Sequence, residues 1–265
     1  MNCNNTSTQL CWILRVGVFM EFIGHGMLGF GHPPAWASYF GVVGIGRGSA
    51  LYLMSPVGLF DIVMGLTVLL APIRVVVLYM ALWGLWTALL RPLAGESAWE
   101  AVERAGNFGA PFALFLLSAG GGWRKWLGFA QVQTLEGASR ESVSWVLRLT
   151  TVLLLVGHGL LGLTVHKPLY AAQYASIGLS WTGLEPAIGA LECLLALAVL
   201  VRPSPKLLAG VVLWKLASEA LNPIAGSSFW VFVEHGGSYA APLALALLNQ
   251  AYDGGVSCMK RGALA

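Results

Sequence analysis

Gly24-His25-Gly26-Met27-Leu28-Gly29 and Gly157-His158-Gly159-Leu160-Leu161-Gly162 are one pattern written twice, 133 residues apart. The agreement spreads outward from both. Upstream, Trp12-Ile13-Leu14-Arg15 returns as Trp145-Val146-Leu147-Arg148 at the same spacing. Past the next loop the spacing becomes 131, and there Gly58 and Asp61 meet Gly189 and Glu192, Pro72 meets Pro203, and Trp83 meets Trp214. Arg91-Pro92-Leu93-Ala94-Gly95 then meets Asn222-Pro223-Ile224-Ala225-Gly226, Trp99 meets Trp230, Glu103-Arg104 meets Glu234-His235, and Gly106 and Pro111 meet Gly237 and Pro242. A register held over most of each half marks a tandem duplication, and the repeat unit is the unit in which helices should be assigned.

Composition says what surrounds the two copies. Hydrophobic residues make up 57% of the 265 and charged residues only 10%, with a mean hydropathy of +0.73. A soluble fold of this length needs more charge to coat its surface, so the chain belongs in a membrane. The net charge of +3 is scattered in ones and twos. No basic tract exists to hold a phosphate backbone, which excludes nucleic-acid binding. The four cysteines, Cys3, Cys11, Cys193 and Cys258, form no C-x-x-C pair. That argues against dithiol electron transfer of the kind used by four-helix thiol oxidoreductases.

Each half offers four apolar segments to cross about 30 Å of hydrocarbon at about 1.5 Å per residue. They fall at Leu10 to Phe30, Pro56 to Ala71, Arg74 to Leu90 and Asn107 to Ser118, then at Ser144 to Leu163, Glu185 to Val201, Leu207 to Leu221 and Gly237 to Ala251. The short fourth segments are expected to begin inside Trp99 to Arg104 and Trp230 to His235, with Ala98 to Ala105 as an interfacial turn. Gly31 to Met54 and Val165 to Gly183 are expected to be loops resting on the membrane surface. The first segment carries Arg15, Glu21 and His25 and recurs mid-chain, so it reads as a structural helix and not a cleaved signal.

The fold expected is therefore all-α: a polytopic membrane protein of eight transmembrane helices in two parallel four-helix repeats. Residues 1–120 form the first repeat, 121–143 a cytoplasmic linker and 144–265 the second repeat. Arg15, Arg74, Arg124, Lys125, Arg140, Arg148, Arg202, Lys206, Lys260 and Arg261 gather on the side of the termini and linker, against Arg47, Arg91, Arg104 and Lys167 opposite. Positive charge stays inside, so both termini are expected in the cytoplasm of a cell with the protein in its inner membrane. An even number of crossings per copy makes the repeats parallel.

Ionisable side chains inside helices carry the candidate chemistry, because each costs roughly 2.5 to 3.5 kcal/mol to insert. Glu21, His25, Gly29 and His32 fall within an arc of about 80° on one helix face, and Leu154 stands where the second copy would repeat Glu21. His25 and His158, with Asp61 and Glu192 and the Glu103-Arg104 and Glu234-His235 pairs, are expected to line one pocket per repeat toward the outer leaflet. Such a pocket can relay protons, hydrogen-bond a quinone head group, or ligate a metal or haem. The competing reading makes the histidines and acids interhelical ties. The absence of a compact H-E-x-x-H spacing speaks against a metal or haem. Lys215 and Glu219, spaced i, i+4, read as an ion pair facing the bundle interior, and their counterparts are Gly84 and Ala88. Trp83 and Trp214 read as packing residues.

The Leu14-Arg15 to Gly29 and Leu147-Arg148 to Gly162 spans, the Gly-x-x-acid second spans Gly58 to Asp61 and Gly189 to Glu192, and the small-residue fourth spans together make the chain resemble the DoxX family. Here the four-helix unit stands twice. The resemblance implies a component of a quinone-linked membrane redox system, with quinone the cofactor to expect. The alternatives are a noncatalytic structural or accessory subunit of a larger membrane complex and a small-molecule transporter. Whether the protein is an enzyme is left open by the residues. The partners expected are the lipid bilayer and other membrane proteins.

Overall fold

The computed structural model describes residues 3–118, 126–130, 135–165 and 167–262, so the linker charges Arg124 and Lys125 lie outside it. The described residues are mainly helical. Helices α1 (Cys3–Phe30), α2 (Ala37–Val42), α3 (Arg47–Leu70), α4 (Arg74–Leu93), α5 (Ala98–Glu103) and α6 (Ala105–Leu117) form the first half. Helices α7 (Gly137–Thr164), α8 (Pro168–Ala175), α9 (Leu184–Val201), α10 (Pro205–Ile224), α11 (Phe229–Glu234) and α12 (Gly236–Gly262) form the second. An antiparallel bridge between Ile73 and Phe129 pins residues 126–130 of the linker to the α3–α4 turn.

Among the described residues seven helical stretches are long and apolar enough to cross a membrane: Thr6–Phe30, Arg47–Leu70, Arg74–Leu93, Ser139–Thr164, Leu184–Val201, Pro205–Ile224 and Phe229–Ala251. The remaining segment of the eight expected is α6, with 13 residues. At about 1.5 Å per residue it is about 20 Å long, less than the hydrocarbon thickness. Two further expectations need correction. The segment from Gly31 to Met54 is not a loop throughout, since it holds a 3-10 turn (Pro34–Trp36), α2 and the first turns of α3. Helix α3 starts at Arg47 and runs through Pro56. Pro56 withholds a bond only from the Tyr52 carbonyl, and Tyr52 lies in the outermost turns with its side chain 84% exposed. A proline near a wet helix end is cheap to accommodate.

Helices α1, α6, α7 and α12 pack against one another at the centre, with α3 outside α1, α9 outside α7, α4 outside α6 and α10 outside α12. One buried core runs through both halves, including Leu14 and Val18 of α1, Leu114 of α6, Leu147 and Leu154 of α7, and Ala244 and Leu245 of α12. The outer helices carry their large apolar residues outward: Leu59, Val63 and Leu70 on α3, Leu82 on α4, Leu194 and Leu197 on α9, and Leu213 on α10 are all exposed. That is the surface lipid requires, and the polar groups turn inward instead.

The repeated motifs make repeated contacts. Arg15 donates from Nε to the Val68 carbonyl at 3.0 Å and from its terminal nitrogen to Leu69 O. Arg148 does the same to Val199 O, at 3.2 Å, and Leu200 O. Both arginines thereby satisfy carbonyls left open at the ends of α3 and α9. The paired glycines set how close those helices come. A Cβ on Gly26 would lie 2.5 Å from Gly58 O, and one on Gly58 2.5 Å from Gly26 O. Replacing Gly58 by Val should overpack this contact and lower stability by about 1–3 kcal/mol. Gly210→Ala, with nothing within 4 Å of its Cβ position, should leave the detergent-phase melting temperature unchanged or slightly raised.

Candidate functional site

The inward face of α1 places Glu21 and His25 beside α3. His25 Nδ1 lies 2.8 Å from Asp61 Oδ2, and the tautomer that donates from Nδ1 leaves Nε2 as an acceptor. The ring also stacks on Trp36, with centroids 4.6 Å apart and planes at 21°. In the second half His158 Nδ1 bonds Glu192 Oε2, and Tyr170 packs on the imidazole at 4.9 Å. Glu192 does more than Asp61, because its Oε1 accepts from Trp214 Nε1 at 2.8 Å. Asp61 and Glu192 are wholly buried.

The short helices that precede the fourth spans cross between the halves. Helix α11 packs on α1, and α5 packs on α7. A Cβ on Gly24 would collide with the Val233–Glu234 backbone, and one on Gly157 with the Val102–Glu103 backbone. The missing side chains thus seat each short helix on the first helix of the other half. Glu234 is brought beside α1 and Glu103 beside α7, and both acids line one cavity with His158 and Glu219. Arg104 reaches across the halves to Glu234 Oε1 at 3.8 Å.

Lys215 Nζ and Glu219 Oε1 pair at 2.8 Å, as their i, i+4 spacing predicts, and both are buried. Glu219 Oε2 also accepts from Asn222 at 3.1 Å and faces His235 Nδ1 at 3.5 Å. His235 Nδ1 itself donates to Val231 O at 2.7 Å. Asn222 Oδ1 accepts from Gln173 at 2.6 Å. At the rim, Arg91 holds Glu96 at 3.1 Å and Glu100 at 3.7 Å, and Lys167 pairs with Glu100.

Two cavities of about 230 Å³ result. The first opens onto His25 and is walled by Trp36, Tyr39, Phe40, Trp83 and Trp86, with Arg91, Arg104 and Asn107 at its edge. The second, between the halves, is polar and is lined by Glu103, Arg104, His158, Tyr170, Glu219 and His235 among others. Tyr39 donates to Glu96; burial, with the Glu96 carboxylate beside it, pushes the phenol up to about 12 against the opposing Arg91 charge, so it stays a neutral donor.

Of the eleven expected residues, His25, Glu103, Arg104, His158, Glu219, Glu234 and His235 line these two cavities, Glu21 and Asp61 line a small niche beside His25, Glu192 lines another beside His158, and Lys215 pairs with Glu219. Trp36, Tyr39, Arg91, Glu100, Tyr170 and Asn222 join them without having been singled out, because they sit on short helices and helix ends where no periodicity announces a face. Trp214 donates its indole N–H to Glu192, while Trp83 packs against the core and stacks on Tyr79. His32 of the expected face bonds Ser55 at 2.9 Å, outside the cluster. Among the described residues no group of three or more His, Cys, Asp or Glu has the arrangement to hold a metal ion. Cys11 and Cys193 are free thiols.

Apolar crossing helices with their ionisable groups turned inward define a multi-pass integral membrane protein. No family model, curated protein or solved structure matches the chain.

Removing one member of a buried pair leaves the other charge uncompensated, at a cost of about 3–5 kcal/mol. Lys215→Ala should therefore destabilise the protein strongly in a thermal unfolding assay. Lys215→Ala/Glu219→Ala, which removes both charges, should recover much of that loss.

Proposed function

We propose that the chain is a DoxX-like protein of the inner membrane that serves a quinone-linked redox system by holding a quinone-type head group at His25. The observation that carries this reading is the aromatic-walled cavity that opens onto the His25–Asp61 pair. Rings such as Trp36, Trp83 and Trp86 suit a flat conjugated ligand, since an aromatic pair is worth about 0.5–1.5 kcal/mol beyond its area burial. Polar groups are few and converge at one end, which is how a small-molecule site fixes orientation. A quinone gains two protons with its two electrons, and a histidine hydrogen-bonded to a carboxyl group is a side chain that can pass them.

The sequence repeat supports two parallel four-helix units with α5 and α6 as the eighth crossing, split at Arg104 as α11 and α12 are split at His235. The arginine and lysine distribution supports cytoplasmic termini, which puts the His25 cavity toward the outer leaflet. A fluorescent protein fused to the C-terminus should accordingly mature and fluoresce in cells, and a dark fusion with an active periplasmic reporter would reverse the orientation.

Purified protein should bind a short-chain benzoquinone, seen as a rise in melting temperature with ligand concentration. His25→Ala should weaken that binding about tenfold or more, the loss expected when a ligand's polar group goes unpaired. If no quinone shifts the melting temperature and the protein leaves mild detergent only within a larger complex, the accessory-subunit reading replaces this one.

A further inference from the structure

The two copies differ by one methylene at their acid. Glu192 spans the distance between His158 and Trp214, accepting from both. Asp61 keeps the bond to His25, but Asp61 Oδ1 and Trp83 Nε1 are both buried with no hydrogen-bond partner among the described residues. Both residues line a niche of about 10 Å³ with Glu21, Thr87 and Asn107. His25, Trp83, Thr87 and Asn107 belong to both the niche and the larger aromatic cavity, so the niche forms its floor. A space of this size takes one water-sized group.

The open groups specify what that group is. Glu21 Oε2 is also unpartnered in the niche, and Glu21 is only 2% exposed. The floor therefore presents an N–H donor beside two carboxyl groups. A ligand carbonyl would accept from Trp83 but set its lone pairs against the acids. An ammonium would satisfy the acids but has no lone pair for the indole. A hydroxyl accepts from Trp83 Nε1 and donates to Asp61 Oδ1, meeting both needs.

We infer that the first-half cavity selects an aromatic ring bearing a hydroxyl, so that the site takes the quinol in preference to the quinone. This rests on the quinone-site reading above. The second copy supports it by contrast: the Glu192 carboxylate already bridges the equivalent groups, and Lys215 occupies the position held by Gly84. Glu21, which supplies the further acceptor, has no counterpart there because Leu154 replaces it.

The test is calorimetric titration of the full chain in detergent, without oxygen, with a short-chain benzoquinol, its quinone and its dimethyl ether. The quinol should bind about tenfold or more tighter than either of the others, because each leaves buried polar groups unpaired. Asp61→Glu should let the longer carboxylate reach Trp83, abolish the preference for quinol, and leave the melting temperature at or above that of the parent. Trp83→Phe should weaken quinol more than ether. Equal affinities for quinol and ether, or an Asp61→Glu protein that keeps the quinol preference, would overturn the inference. Quinone and quinol binding equally would overturn it while leaving the quinone site standing; no binding by any of the three would overturn both.

Discussion

A carboxylate carried on a hydrophobic helix has to be met by protein, because hydrocarbon offers it neither hydrogen bonds nor counter-charge. In this protein Asp61, Glu192, Glu219 and Glu234 all lie buried within the helix bundle, and each faces a basic side chain from the same or a neighbouring helix. The arrangement of helices follows from that need. Helices α5 and α11 lie against the first helix of the opposite half, where Gly24 and Gly157 let the backbone approach. Their acids thereby arrive beside histidines and arginines that their own half does not place in reach. The four central helices then share one core, and the halves cannot be separated without exposing it.

The two copies have parted in ways that charge and length explain. The second copy fills its interior with its own ions: Lys215 and Glu219 neutralise each other, Asn222 and Gln173 extend the hydrogen-bond chain, and Glu192 closes on Trp214. The first copy has Gly84 and Ala88 at the matching positions and a shorter acid at Asp61. Its cavity is apolar and aromatic along the walls, with Asp61 Oδ1, Trp83 Nε1 and Glu21 Oε2 open in the residues of its floor and Arg104 Nε open at its edge. A cavity with open donors and acceptors gains by binding a complementary group.

The membrane class and the positions of most helices were legible in residues alone, because hydropathy over a span and the recurrence of the Gly-His-Gly stretch do not depend on what packs against what. Boundaries were less legible where a local signal pointed the other way. Pro56 looks like a helix start, yet α3 passes through it because the lost bond falls at an exposed end. The polar cluster was legible as a list: helical spacing shows that Glu21 and His25 share a face, and that Lys215 can reach Glu219. The aromatic walls were not, since Trp36 and Tyr39 come from short helices and turns whose direction is set by the loop that carries them.

What the sequence determined by itself was a helical chain for lipid, a pattern stated twice, and which side chains must avoid the acyl phase. Only the tertiary structure decided which of them meet. Spacing along a helix fixes the face on which a group lies but says nothing of the helix opposite, so the exchange of α5 and α11 between halves had no signature in the repeat. The single methylene between Asp61 and Glu192 is visible in the residues. Whether it leaves a gap depends on where Trp83 and Trp214 stand, and that is a distance between helices.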